Sequence, residues 1–278
     1  MRVYPCLSAL VAAVALAAQP VSIQFKPVDR SILNERLRRV STKNAERAQR
    51  LREMFQEAGC TGDNLRDQEV KGSKIPNIIC TKPGQSDAAI VVGARLDWWG
   101  RNGQGVLDNW SGAALLPSLF QSLPEGSSRH TFVFIGFADQ ESSPAGSRYY
   151  VRQLSKDQRS RVQAMVQLTS LGSATTRVWM DRSDQKLIND LARVAAAMKI
   201  PVTGVNMGED IGRDDAAAFR EARIPTISLH SLTQDTFSLL DTAQDNVELI
   251  KPDLYYDSYR VVAAYLMLLD AVLTPPAR

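Results

Sequence analysis

The chain has 278 residues, 44% of them hydrophobic and 23% charged, a balance that excludes the disordered and collagen-like classes and leaves enough apolar side chain for a real core. Its 33 Lys and Arg stand against 30 Asp and Glu, a formal charge of +3, too small to mark a nucleic-acid-binding protein or an acidic tail. No internal repeat, composition shift or Ser/Gly/Pro linker divides it, so residues 19–278 are expected to form one domain.

Residues 1–18 stand apart. Arg2 is followed by an apolar, Ala-rich run from Leu7 to Ala18 and then by Gln19-Pro20. The run is about a dozen residues, shorter than the roughly 20 that span a bilayer, and Ala15-Leu16-Ala17 supplies the small-x-small pattern read by signal peptidase. A cleaved signal peptide is expected, with an uncleaved anchoring helix as the alternative. A secreted or periplasmic protein with no stable membrane anchor follows, since no other segment is long and apolar enough to cross a membrane. With Cys6 inside the leader, Cys60 and Cys80 are the remaining pair. In an oxidising compartment they suggest a disulfide, with two buried thiols as the alternative.

Beyond the leader, Ser31–Val40 and Asn44–Ala58 place apolar residues at helical spacing, the second as Ala48, Leu51, Phe55 and Ala58, with Gly59 set to end it. Strand-like apolar runs follow at Ala88–Val92, Thr131–Phe137, Ala164–Leu168, Arg177–Met180 and Thr226–Leu229. Helical segments lie between and after them at Asn109–Leu123, Gly146–Leu154, Asp184–Met198, Asp215–Ala222 and Pro252–Leu273. Buried strands alternating with helices predict an α/β sandwich. In such sheets ligands lie beyond the carboxyl ends of the strands. That rule selects Arg95, Asp97, Asp139, Gln140, Glu141, Thr169, Ser170 and His230. Asp108 joins them at a predicted helix start, where an Asp is equally well explained as a cap.

The runs Ile90–Asp97, Asp108-Asn109-Trp110-Ser111-Gly112, Phe134–Glu141 and Gly146-Ser147-Arg148-Tyr149-Tyr150 resemble, in order and spacing, motifs of metallopeptidase family 28. Asp214–Phe219 and Ile224–His230 resemble its late helix and strand. That family contains secreted zinc aminopeptidases, with glutaminyl cyclases as relatives. The resemblance covers nearly the whole chain beyond Ser31. It implies a three-layer sandwich of the zinc exopeptidase kind, with a central mixed, mostly parallel sheet flanked by helices. It also implies two zinc ions sharing a bridging carboxylate, with a Glu that takes the proton from the attacking water.

Several matching positions depart from that chemistry. The family's His-x-Asp corresponds to Arg95-Leu96-Asp97, which puts a guanidinium with no lone pair in place of an imidazole ligand. The bridging carboxylate corresponds to Asp108. The Glu-Glu pair corresponds to Gln140-Glu141, so the general base has become an amide. Asn-Leu-Asp corresponds to Gln167-Leu168-Thr169, and His-Thr-x-x-Asp to Asp241-Thr242-Ala243-Gln244-Asp245. Arg95 is then expected to supply the charge that zinc supplies in active relatives, beside Asp97 and Asp108.

The expectation is a non-hydrolytic pseudopeptidase that binds peptides or protein amino termini and holds no cofactor. One alternative is an enzyme using a single divalent ion, Zn, Mg or Ca, at Asp108, Glu141 and Asp241. Another is a partner-binding scaffold. Trp98, Trp99 and Trp110 flank the motifs, as core or as the wall of a pocket for an apolar side chain. His230 is a candidate ligand contact. His130, ahead of a strand, is expected at the surface. Ser111 and Ser147 lack the Gly-x-Ser-x-Gly elbow of a serine hydrolase.

Overall fold

The computed structural model describes residues 23–100, 102–138, 145–206 and 214–274. The leader, Gln140 and Glu141 lie outside the described residues.

Two helices open the chain. In α1 (Arg30–Arg38) the Asp29 carboxylate accepts the Ser31 N–H as N-cap. The second, α2 (Asn44–Glu57), buries Leu51, Met54 and Phe55 and is closed by Gly59 at φ 96°, the left-handed region in which glycine is unstrained. Then come β1 (Leu65–Gln68), β2 (Asn77–Lys82), β3 (Ala89–Arg95), the short α3 (Ser111–Ala113), α4 (Leu116–Ser122) and β4 (Thr131–Phe137). They are followed by α5 (Ala145–Gln153), α6 (Lys156–Arg161), β5 (Val162–Leu168), β6 (Arg177–Trp179), α7 (Gln185–Met198) and β7 (Thr203–Val205). The chain ends with α8 (Ala216–Glu221), β8 (Thr226–His230), α9 (Gln234–Phe237) and α10 (Pro252–Val272).

The strands form one sheet in the order β1-β2-β4-β3-β5-β8-β6-β7. β3 pairs in parallel with β4 and β5, as do β5 with β8 and β6 with β7; the pairs β1/β2, β2/β4 and β6/β8 are antiparallel. The fold is therefore the expected mixed, mostly parallel sheet with helices on both faces. One face carries Ile90, Val92, Phe132, Phe134 and Val166 against Leu51, Leu119, Leu191 and Leu266 of α2, α4, α7 and α10. The other carries Val91, Ile135, Phe137 and Met165 against Tyr150 of α5 and Phe219 of α8. Cys60 and Cys80 form a disulfide that ties the end of α2 to β2.

Three differences from the sequence expectation have local causes. β1, β2 and β7 carry no sustained apolar alternation. β2 instead hides two polar ends: the buried Lys82 ammonium donates to the Phe120 and Leu123 carbonyls at the end of α4, and Asn77 is fully buried. The helix expected over Asn109–Leu123 is broken. Asp108 (φ −111°, ψ 77°) and Asn109 (φ −140°, ψ 31°) leave helical conformation, so Asp108 is not a cap, and Pro117 restarts the chain in α4. His130 is fully buried rather than at the surface. Its backbone N–H donates to Asp270 Oδ1 at 2.8 Å and its Nδ1 lies 3.1 Å from the same oxygen, so an acid near the end of α10, in its apolar last turns, provides its partner.

Candidate functional site

β3 extends three residues beyond the expected end, making Arg95 the last residue of a central strand. Ala94 aligns with Leu168, so Thr169 stands level with Arg95; the Thr169 N–H donates to the Leu229 carbonyl at 3.0 Å, which sets His230 beside it. Arg95, Thr169 and His230 thus sit at the carboxyl ends of three adjacent parallel strands, where the topology rule places a ligand crevice.

Arg95 is the centre of the described site. Its Nη1 lies 3.3 Å from Asp108 Oδ1 and its Nε 3.5 Å from Asp97 Oδ1, with all three side chains largely or wholly buried. Burial works against the guanidinium charge, but Asp108, Asp97, Asp215 and Asp241 together outweigh it and hold the Arg95 pKa above its ordinary value. One cation cannot satisfy four acids. Burial, with Asp241 and Asp97 nearby, keeps the Asp108 pKa above the usual carboxylate range despite Arg95. The excess is most visible at Asp215, 1% exposed at the head of α8. Burial pushes its pKa up to about 7, against the lowering effect of a hydrogen bond with Ser147 of α5.

The loops bearing these acids are clamped from behind. The Arg47 guanidinium, fully buried in α2, donates to the carbonyls of Ser41, Leu96, Gln104 and Gly105 and lies over the Trp98 and Trp110 rings. Its pKa falls to about 10 through burial and then through Arg95. Asp245 accepts the N–H groups of Leu107 (2.6 Å) and Asp108 (3.2 Å), and its carbonyl accepts the Gln104 N–H. Gly103 (φ 88°) is needed where the two loops touch, because a Cβ there would meet the Thr242 carbonyl oxygen at 2.2 Å. Asp241, at φ 60°, is exposed on the same loop. Asn77 accepts the Ala138 N–H at 2.8 Å and donates to the Gly146 carbonyl at 3.0 Å, which joins the end of β4 to the first turn of α5.

Arg47, Asp245 and Asp215 are therefore part of the site's construction and are not among the candidates; Ser147, considered above only as a nucleophile, joins them through its hydrogen bond with Asp215. The one available signal for Arg47 was a charge adjoining Ala48 on the apolar stripe of its helix. For Asp245 it was its place in the Asp241–Asp245 match.

The other candidates separate clearly. The Thr169 hydroxyl donates to Asn109 Oδ1, which also accepts the Ser170 N–H at 2.8 Å; it makes no bond to Asp108. Trp110 is wholly buried, with Nε1 donating to the Leu37 carbonyl, so it is core and not a pocket wall. Trp98 is 8% exposed, clasped at its backbone by Asn44 and packed against Gly105. Trp99, by contrast, is 43% exposed, and its Nε1 donates to Asp97 Oδ2. His230 is buried; Nδ1 accepts the Leu232 N–H, and burial followed by the charge of Arg177 lowers its pKa to about 4. The ring is neutral at pH 7, with its proton on Nε2, which has no hydrogen-bond partner among the described residues.

Zinc requires lone pairs from imidazole, thiolate or carboxylate. Among the described residues no group of three or more His, Cys, Asp or Glu is disposed to hold a metal ion. The Arg95 guanidinium has no lone pair and faces Asp108, the Thr169 hydroxyl is turned to Asn109, and His230 Nδ1 is engaged. The described donor set does not fit a zinc pair. Among the described residues, no helix is long and apolar enough to cross a membrane.

A family model for peptidase family M28 matches residues 77–266. No curated protein matches the chain in sequence. Among solved structures, the LapA aminopeptidase of Legionella pneumophila is similar, with a TM-score of 0.73 and 20% identity over 93% of this chain and 79% of that one. A zinc aminopeptidase from Bacillus subtilis gives a TM-score of 0.63 and 22% identity over 73% of this chain and 52% of the other. An Acidobacteriales bacterium glutaminyl cyclase gives 0.69 and 16% over 91% and 99%. At these identities the likeness is one of fold.

Proposed function

This chain belongs to peptidase family M28, and on that footing we propose that it is an exported member that no longer performs two-zinc hydrolysis and binds peptides or protein amino termini in the retained cleft. The observation that carries this reading is the Arg95–Asp108 ion pair. A permanent cation stands where the family's first imidazole ligand belongs and is bound to the carboxylate that would bridge the metals. The charge an active relative takes from zinc is supplied by the chain itself.

Two further features support it. Gln140 has no basic lone pair to accept a proton at neutral pH, so a water in this cleft lacks the family's proton acceptor. Trp99 offers an exposed apolar face joined through Asp97 to the buried charge cluster, a surface suited to a peptide side chain. Export is supported by the leader-like residues 1–18 and by the Cys60–Cys80 disulfide, a bond that persists in oxidising compartments.

The test combines metal content with hydrolysis of aminoacyl chromogenic substrates. The unmodified protein is expected to carry well under one zinc per chain and to release no product. The fourfold variant Arg95→His, Gln140→Glu, Thr169→Asp, Asp241→His is expected to gain both zinc and hydrolysis, with little from any single change, because base and metals act as a unit. Turnover by the unmodified protein on the order of 1 to 1000 per second, the range of ordinary enzymes, overturns the reading. One tightly held divalent ion in the unmodified protein replaces it with a single-ion site.

A further inference from the structure

At the opposite end of the sheet two cavities, about 420 Å³ and 320 Å³, share Arg223, Ile224 and Pro225. α6 runs directly into β5, and Arg223–Pro225 lead from α8 into β8, so both cavities lie at the amino ends of two parallel strands. The seven residues of β5, at about 3.3 Å each, set them roughly 20 Å from the Arg95 site.

The larger cavity is lined by Lys156, Arg159 and Arg223, with Ser160 and Gln163 between them and no carboxylate. The acids nearest in sequence are engaged elsewhere: Asp157 pairs with Arg161 at 2.6 Å and Glu221 with Arg148 at 3.0 Å. Arg159 Nη2 donates to the Leu154 carbonyl, while its Nε is buried without a partner. Among the described residues, neither Lys156 nor Arg223 has an ion-pair partner. The smaller cavity differs, because Asp181 and Asp184 line it and Arg220 is paired with Asp214.

Arg223 is also held in an uncommon conformation. Its N–H donates to the Arg220 carbonyl and that of Ile224 to the Phe219 carbonyl, the two bonds that close a helix when the intervening residue is left-handed. That residue is usually glycine; here it is an arginine at φ 62°. Lys199 closes α7 in a similar way, at φ 56°, so the strain alone assigns nothing. Only Arg223 adds its charge to a cavity already holding two unneutralised cations.

We propose that the Lys156–Arg159–Arg223 cavity binds a phosphoryl group. Three cations lining one cavity, two of them guanidiniums, with the Ser160 hydroxyl between them, match a multiply charged tetrahedral oxyanion. The site is independent of the cleft, so its test does not depend on whether the chain hydrolyses peptides.

Inorganic pyrophosphate titrated into the folded protein should bind saturably, raise the melting temperature, and shift the amide resonances of residues 156–160 and 222–224, more weakly as salt is raised. Arg223→Gly, which relieves the left-handed strain, should melt no lower than the unmodified protein without pyrophosphate yet bind at least tenfold more weakly. Lys156→Ala should weaken binding in the same direction. Cosedimentation with vesicles of phosphatidic acid in phosphatidylcholine, abolished by Arg223→Gly, assigns the phosphoryl group to a lipid headgroup. Pyrophosphate binding without cosedimentation assigns it to a soluble ester. No saturable response to either probe, or pyrophosphate binding by Arg223→Gly and Lys156→Ala as tight as that of the unmodified protein, overturns the site.

Discussion

The carboxylate of Asp245 accepts the backbone N–H of Asp108 at 3.2 Å, together with that of Leu107 at 2.6 Å, across 137 and 138 residues of sequence. This contact fixes where the Asp108 side chain meets Arg95. It also explains why Asp245 stays buried although burial raises its pKa: its backbone hydrogen bonds oppose that effect. Asp245→Ala should strand two backbone donors and cost about 2 to 4 kcal/mol in urea unfolding. Asp245→Asn, which keeps an acceptor oxygen, should cost less. Equal losses would mean that charge, not the hydrogen bonds, holds the loop.

Arg95→Met should be among the more damaging substitutions, because it leaves Asp97, Asp108 and Asp215 buried around an apolar side chain. Removing one partner of a buried ion pair costs about 3 to 5 kcal/mol. The loss should be largest at pH 8 and shrink at pH 5, where Asp108 and Asp215, whose burial already favours the protonated form, can take up protons. A pH-independent loss under 1 kcal/mol would show that Arg95 compensates nothing.

Asp215 gives the stability a defined pH dependence. Its folded pKa, about 7, lies above the unfolded value of 3.8, so between these limits the folded state holds a proton that the unfolded state has released. Its contribution is full below about pH 4 and is lost as pH rises to 7, at up to about 1.4 kcal/mol per unit. His230 has the opposite sign: with a folded pKa of about 4 against 6.5, it favours unfolding as pH falls below 6.5. The two slopes offset each other in mildly acidic solution. Asp215→Asn should remove one of them, leaving a variant whose stability relative to the unmodified protein improves steadily from pH 4 to 7. A constant difference across that range would contradict the burial of a proton at Asp215.

The Cys60–Cys80 bond closes a loop of about 20 residues, for which chain-entropy estimates give about 3 kcal/mol. The folded protein should weigh two hydrogens less than the reduced chain, and Cys60→Ser with Cys80→Ser should lower stability by that order. Alkylation of either cysteine in the folded, unreduced protein would contradict the bond.

The alternation of strands and helices was legible because burial on a parallel sheet writes continuous apolar runs such as Ile90-Val91-Val92, while helices write a 3.6-residue period, and both signals are local. Local runs also carried the motif that put Arg95 and Asp108 in register with a metal site. Residues with no local signature were not legible. β1 and β2 hold their places through cross-strand pairing and a disulfide, Lys82 is bonded by carbonyls about 40 residues along the chain, and Asn77 by Gln68 on the neighbouring strand and by Ala138 and Gly146. The charge balance of the cleft likewise belongs to the tertiary structure. Arg47, Arg95, Asp108, Asp215 and Asp245 come from separate segments, and the ionisation of each is shifted first by burial and then by charges and hydrogen bonds from other segments. The sequence by itself determined which side chains reach the carboxyl ends of the strands. Only the packed chain decided that one arginine there would face several buried acids, because burial and Coulomb interaction act through space and not along the backbone.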